Sequence, residues 1–470
     1  MAGAPPGGIY ASEAIKIEKA ALEELGTIVS LERLYSDIYN KNPDFYGGQR
    51  PELKALCLSP DFHKGQGVPI GTSLLTSGVA IPAMMGSDIG CGMQFIATDI
   101  PAAEFPKIKD KLMTELRQIF FEGRRDLPLL KDETEMIFSR GLADVKSLLE
   151  NHPDSLWGML NSRDISTVQF QDAAFASRVF GPLADFQGIS RSAHLGAIGG
   201  GNHFVEIQSV DQVFEYGAVT KGNLAIMIHS GSLSMGKAAM LDIKDRLKAA
   251  YPQGVVKPEA DFYPLPLSGQ AETAALKNEI FDLIANTLNF AAVNRVILGL
   301  MVKKALGNCG LNGSFTTIDD SAHNMLERSA KSDTLITHRK GATRATLGRP
   351  VIIPGSMGSA SYLMRGLGNT EALESAPHGA GRAVSRQDSQ RDKSYDFERF
   401  LSANTVVTPV DFEQLRRLKR WDILKEKMRD LRQEAPKAYK DIEETIRVTE
   451  GAQIASRAAK MSPLLTVKQN

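Results

Sequence analysis

The sequence predicts a fold that mixes strands and helices in blocks, and two textures carry that expectation. Glycine- and proline-punctuated apolar runs, the look of buried strands joined by tight functional loops, fill residues 57–100, 195–236 and 316–386. Between them lie stretches whose apolar residues recur at helical spacing among polar ones. In chain order, Ile15 to Leu25 predicts a short amphipathic opening helix, and the runs KALCLS, GVAIPAMMG and MQFIATDI predict strands. Residues 102–185, with FPKIKDKLMTELRQIFF and DVKSLLENH, read as a helical stretch for packing and surface. The strand regions Leu195–Gly236 and Thr316–Arg386 are separated by helical sequence around Ala274 to Leu306. The last quarter reads as helical again, and in Arg416–Arg432 eight Lys/Arg face three Asp/Glu.

Composition bounds the function. The 470 residues hold 55 Lys+Arg against 55 Asp+Glu, so no global basic charge announces a protein that coats nucleic acid. At 43% hydrophobic and 23% charged, the chain is neither disordered nor fibrous. Cys57, Cys91 and Cys309 are too few for a disulfide framework and fit a reducing compartment. The start, MAGAPPGGIYASEAIKIEK, lacks the order of a signal peptide. The apolar segments Leu74–Met85 and Val296–Val302 are shorter than the roughly 20 residues that span a bilayer. A soluble cytoplasmic protein without a membrane partner is expected.

The eight histidines, His63, His152, His194, His203, His229, His323, His338 and His378, mostly occupy glycine-rich loops at the ends of apolar runs. Asp88 and Cys91 lie in GSDIGCGM, where a carboxylate and a thiolate three residues apart can share a metal ion. A lone intracellular cysteine is more often a small buried hydrophobe, and His203 in GGGNHFVE, His229 in AIMIHSGS and His323 in DDSAHN are singly ambiguous. Four such loops together favour ligation. The ligand types suit Zn²⁺ and allow Mn²⁺ or Fe²⁺. Five ligands exceed one tetrahedral site, so two ions sharing a bridging cysteine are expected, with positions open for substrate oxygens. His378, in SAPHGAGR, stands in a loop built to approach an anion, where an imidazole can attack phosphorus or be incidental to a turn. GSLSMGKA, from Gly231 to Ala238, misses the Walker A pattern because Ala238 replaces the hydroxyl that binds Mg²⁺. Its glycine loop before a helix keeps a possible anion-binding role.

The ordered set PDFHKGQGVPIG, GSDIGCGM, GGGNHFVE, HSGS, FAAVNR, HRKGATRA, IPGSMGSASY, RGLGN, SAPHGAGR, AYKDI and a closing VK resembles the RtcB family of GTP-dependent RNA ligases over residues 56–468. The resemblance is weak in the first fifty residues, in 102–185 and in much of 387–435. It implies a single large α+β catalytic domain, mixed sheets flanked by helices around a central two-metal cleft, at 51–470 behind a helical extension at 1–50. It implies two Mn²⁺ ions, with Cys91 bridging, Asp88, His203 and His229 completing coordination and His323 on the second ion. His378 would attack the α-phosphorus of GTP and carry GMP. The guanylate would then activate an RNA 3′-phosphate as an RNA-ppG end, and a 5′-hydroxyl would displace GMP; a 2′,3′-cyclic phosphate would first be opened. Asn202, Glu206, Ser356, Ser361, Tyr439 and Lys468 would hold guanylate, with Ala380, Gly381 and Arg382 at the phosphate. Glu206 suits guanine, whose N1 and N2 groups donate to a carboxylate. Asp61 and His63 match family positions near the site. Archease enters as an activating partner that the family brings into view, and a monomer is the expected state.

Three departures stand out. Leu233 in HSGSLS occupies the place of an arginine expected to help hold substrate phosphate. Pro377 precedes the nucleophile where a small polar residue is usual, and removes a backbone donor. The sequence reads VKQN, one residue beyond the family's usual end, which bears on nucleotide fit. These keep two alternatives in view: a paralogue that guanylylates itself or RNA ends without efficient sealing, and a noncatalytic RNA-end-binding protein. The cations Arg339, Lys340, Arg344, Arg365, Arg382 and Arg386 are expected to gather at the site, supplying locally what the net charge lacks.

Overall fold

The computed structural model describes residues 7–175, 195–215, 217–330, 332–392 and 396–469. His194 and the 176–185 end of the expected helical stretch lie outside them. Two large sheets organise the described residues. One has five strands in the order β1 (Gly7–Ile9), β2 (Glu52–His63), β3 (Ile70–Ser77), β11 (Ser332–Lys340) and β10 (Asn324–Ser329). The other runs β13 (Pro350–Ile353), β14 (Ser361–Gly366), β17 (Ala455–Val467), β6 (Phe204–Val213), β7 (Asn223–Ser230), β5 (Gly92–Pro101) and β9 (Phe315–Ala322), with β16 (Val406–Val407) paired to β17. Two short ladders, β12 (Ala342–Arg344) with β15 (Ser375–Pro377) and β4 (Val79–Ala80) with β8 (Leu265–Pro266), complete the pairing. This is the α+β class, in one large domain.

The opening helix spans Lys19–Lys41, starting later and running further than Ile15–Leu25. Ile28, Leu31, Tyr35 and Ile38 form its buried stripe, which packs with Leu53, Leu56 and Leu58 of β2. Asn42 and Pro43 end it, because proline disfavours the helical conformation of the residue before it. The C-terminal quarter contains helices, as its pattern predicts, but the expectation misses β17, whose thirteen residues are paired on both sides in the larger sheet. Pro463 stands at a register shift of β17 against β6, where a missing N–H is tolerated.

The segment around Val296–Val302 belongs to a 38-residue helix, Ala271–Asn308. An 18-residue window of this helix has mean hydropathy 1.4, so by length and composition it could cross a bilayer, correcting the expectation of a short apolar run. Of that window 89% is buried inside the protein, as in a helix apolar all round at the centre of a core. Gly299 permits its close approach to β5, since a Cβ there would stand 2.7 Å from Ile96 Cδ1.

The polar residues of this helix are spent on loops. Asn294 accepts from Gly196 N at 2.8 Å and donates to Ala197 O at 3.0 Å. Arg295, 2% exposed, donates Nε to Asp320 Oδ2 at 2.8 Å and Nη1 to Gly90 O at 2.7 Å and Ser230 O at 3.2 Å. Asp320→Ala would leave the guanidinium buried without its counter-charge, so denaturant unfolding is expected to show a loss of about 3–5 kcal/mol.

Candidate functional site

The site forms at one end of the larger sheet. Strand pairing sets Gly92 opposite both Ser230 and Ala322, and Phe204 opposite His229. Cys91 therefore enters β5, His203 precedes β6, His229 nears the end of β7 and His323 follows β9, all at the same edge of four neighbouring strands. Four residues distant in sequence become neighbours through register alone.

Cys91 Sγ lies 3.2 Å from His203 Nε2, 3.3 Å from His229 Nε2 and 3.3 Å from His323 Nε2. His229 Nε2 and His323 Nε2 are 3.3 Å apart, and Asp88 Oδ2 is 3.2 Å from His203 Nε2. His203 is fixed from behind by Ile198 O, 3.0 Å from Nδ1. Asp88 is fixed by Leu233 N, which donates to Oδ1 at 3.0 Å, and by Ser232 Oγ at 3.4 Å. The anion held by the GSLSMG loop is thus the protein's own carboxylate. Gly231 is required beside it, since a Cβ there would stand 2.5 Å from Asp88 Oδ1.

Electrostatics favour a cation here. Burial pushes the Cys91 thiol up and the His229 and His323 imidazoles well down. Burial opposes protonation of His203 too, but Cys91 and Asp88 outweigh it and push its pKa to about 10. Burial likewise works against the Asp88 carboxylate, and the hydrogen bond and charge of His203 hold it below its usual range. His323 Nδ1 is buried without a hydrogen-bond partner among the described residues. A soft thiol, three imidazoles and a carboxylate therefore make a donor set that fits a transition-metal ion, and Cys91, His203 and His229 could hold one.

His378 stands against this cluster, its ring centroid 4.7 Å from that of His323 and 6.3 Å from that of His229. Pro377, the last residue of β15, pairs opposite Ala342 at the end of a two-stranded ladder, where proline is accommodated. Asp61, fully buried, accepts from His378 Nδ1 at 2.6 Å and from Ser59 Oγ. Burial alone would raise the Asp61 pKa, and the hydrogen bond and charge of His378, with the Ser59 hydrogen bond and the charge of His63, together hold it below its usual range. That bond leaves His378 Nε2 as the nitrogen free to react. Asp61 O also lies 2.7 Å from His63 Nδ1.

His378 opens onto a cleft that Asn202, Glu206, Ser356, Ala380, Gly381, Arg382, Tyr439 and Lys468 also line. The expected guanylate residues meet there with one exception. Ser361 is buried behind the wall, accepting from Gln208 Nε2 at 3.2 Å and from Gly355 N at 3.1 Å. Glu206 accepts from Gln208 Nε2 at 2.8 Å and Thr466 Oγ1 at 2.9 Å, while burial pushes its pKa to about 7. Lys468 donates to Gly201 O at 2.8 Å, and Gln469 accepts from Gly199 N at 2.7 Å. Gln469 therefore braces the loop that carries Asn202 and His203, while Asn470, the added residue, lies outside the described residues.

Sequence patterns missed Glu434. It is 2% exposed in the cleft wall, accepts from Tyr439 Oη, and lies 3.7 Å from Arg382 Nη1 and 3.8 Å from Lys468 Nζ. Its segment, RQEAPKAYK, carries no glycine loop that would single it out. The cation expectation needs correction as well. Lys340, Arg382 and Arg386 line this cleft or the one beside it, but Arg339 and Arg344 pair with Glu327, and Arg365 lies exposed at the far end of β14.

A cluster that could hold a metal, an oriented histidine and cations around one cleft fit the class of enzymes that act on phosphorus. The family model described as tRNA-splicing ligase RtcB matches residues 50–469. The chain belongs to the RtcB family of RNA ligases. It is 30% identical to the tRNA-splicing ligase RtcB of Nanoarchaeum equitans, over 88% of each chain. It is 28% identical to the tRNA-splicing ligase RtcB of Thermococcus kodakarensis, over 98% of this chain and 94% of that one. The RNA-splicing ligase RtcB of Mycobacterium bovis is also 28% identical, over 88% of this chain and 97% of its own.

Two outcomes follow from the geometry. Cys91→Ala should lose most of the bound divalent metal while keeping the fold, as elemental analysis after dialysis beside circular dichroism would read. Glu206 has a folded pKa above its unfolded value, so the stability it contributes is full below about pH 4.5 and is lost as pH rises through about 7. Melting temperature against pH should fall across that window in the ligand-free protein, and Glu206→Gln should flatten the fall.

Proposed function

We propose that this protein is a GTP- and Mn²⁺-dependent RNA ligase that joins 3′-phosphate or 2′,3′-cyclic phosphate ends to 5′-hydroxyl ends through a histidine-linked GMP. The observation that carries this reading is His378, held by Asp61 at 2.6 Å and standing between the metal-ligand cluster and the cleft. In this reading Asp88, Cys91, His203, His229 and His323 hold two Mn²⁺ ions, which when bound would neutralise phosphate charge.

The remaining chemistry falls to the chain. Asp61 holds the Nδ1 proton of His378, so the lone pair of Nε2 forms the bond to the α-phosphorus of GTP as the bond to the β-phosphate oxygen breaks and pyrophosphate leaves. Arg382 stabilises the charge spread over the phosphoryl oxygens. Glu206 as a carboxylate accepts from the guanine N1 and N2 groups, with Asn202, Ser356, Tyr439 and Lys468 around the nucleoside. An oxygen of the RNA 3′-phosphate then attacks the same phosphorus and the P–N bond breaks, returning His378 and leaving an RNA-ppG end. The 5′-hydroxyl, giving up its proton, attacks the RNA phosphate and GMP leaves. The adjoining cleft, with Lys64, Lys244 and Lys340 in its lining, suits the incoming RNA.

Leu233 supports a second reading, in which guanylylation outruns sealing. It contributes a backbone N–H to Asp88 but an aliphatic side chain where an arginine would hold phosphate. α-Labelled GTP with Mn²⁺, followed by RNA carrying a 3′-phosphate and a 5′-hydroxyl, separates the readings. Label on wild-type protein and none on His378→Ala is expected, with Asp61→Ala slowed about 100-fold or more. An adduct that persists in His378→Ala overturns the nucleophile, and capped RNA that is never sealed selects the second reading.

A further inference from the structure

The segment 412–432 is a helical hairpin that the cleft does not use. A helix at Phe412–Arg417 turns through Lys419, whose φ is 53°, into a helix at Trp421–Arg432. The second helix buries Leu424, Met428 and Leu431 in a cluster with Met357, Phe397 and Ala435. Its apolar stripe is therefore already occupied. Yet the turn leaves Leu418 63% and Trp421 51% exposed.

The surrounding charge is one-sided. Arg416, Arg420 and Arg429 pair with Glu413, Asp422 and Asp430. Arg417, Lys419, Lys425 and Lys427 make no ion pair among the described residues, and all but Lys427 are exposed. An indole among unpaired cations suits a single-stranded nucleic acid, whose bases stack on the ring while its phosphates take the charge. A membrane surface needs a broad apolar face, and that face is packed inward here.

The hairpin is also continuous with the cleft. Trp421 lies about 16 Å along the helix from Arg432, at 1.5 Å per residue. Immediately beyond, Gln433 O accepts from Arg382 Nη2 at 3.0 Å, and Glu434 lines the cleft. We propose that the hairpin tip, with Trp421, Arg417, Lys419 and Lys425, is a docking surface for the body of a single-stranded RNA whose end lies in the cleft, Trp421 stacking on a base. This rests on the ligase reading for the occupant of the cleft.

Trp421 supplies its own probe, because the chain's other tryptophan, Trp157, is fully buried. RNAs ending in a 3′-phosphate, of about 20 and about four nucleotides, are titrated against tryptophan emission and, labelled, against anisotropy. The longer RNA should quench Trp421 and bind more tightly, and the shorter should not quench it. Trp421→Ala and the triple variant Arg417→Ala/Lys419→Ala/Lys425→Ala should each weaken the longer RNA about fivefold or more, the triple variant also reducing the salt dependence. Affinity for the short RNA and GMP transfer to His378 should be unchanged. Equal binding of the longer RNA by wild type and variants, or quenching by anionic phospholipid vesicles but not by RNA, overturns the proposal. Loss of the ligase reading would show separately, as wild type that forms no guanylylated adduct.

Discussion

The buried ion pair between Arg295 and Asp320 is the constraint on which the site depends. One guanidinium binds a carboxylate on β9, the carbonyl of Ser230 on β7 and that of Gly90 just before β5, and so joins the long helix to the ends of three strands beside the candidate metal ligands. Cys91 follows Gly90, Ser230 follows His229, and Asp320 is three residues before His323. A charge so deep is expensive to desolvate, and replacing the pair with hydrophobes of equal volume could hold a core equally well. It could not hold these carbonyls in place, so the pair serves alignment more than stability.

Chemistry-bearing residues in glycine loops were legible because their side chains are rare and their loops are marked. Asp88, Cys91, His203, His229 and His323 do converge, as do His378 and most of the residues expected to hold guanylate. Glu434 was harder to read because the cations it faces, Arg382 and Lys468, are far away in sequence, and for Arg295, within the FAAVNR run, it was the partners Gly90, Ser230 and Asp320 that the sequence did not show. Ser361 shows the reverse, a motif residue that supports the wall from behind. The strand β17 was hidden for another reason. Its sequence, ASRAAKMSPLLTV, lacks strict alternation because bulges at Lys460 and Pro463 shift which residues face each side.

Neutral net charge proves to be an average over separated fields. Inside the cleft Glu434 lies among Arg382, Lys468 and Arg386, whose charges hold its carboxylate low against the burial that would raise it. Three cations around Glu434 leave that part of the wall with an excess of positive charge. Arg339 and Arg344, by contrast, share the Glu327 carboxylate as ion-pair partner and contribute structure.

The placement of β17 has a consequence for how the enzyme comes into being. It lies between β14 and β6 and delivers Lys468 to the cleft, yet it follows every other described strand in the chain. Until it is synthesised, β6 and β14 are open edges and the sheet lacks a central member. The candidate ligands and His378, from position 88 to position 378, are brought together only by long-range pairing, which is the slow part of folding. A growing chain on the ribosome is therefore an enzyme without a site for most of its synthesis.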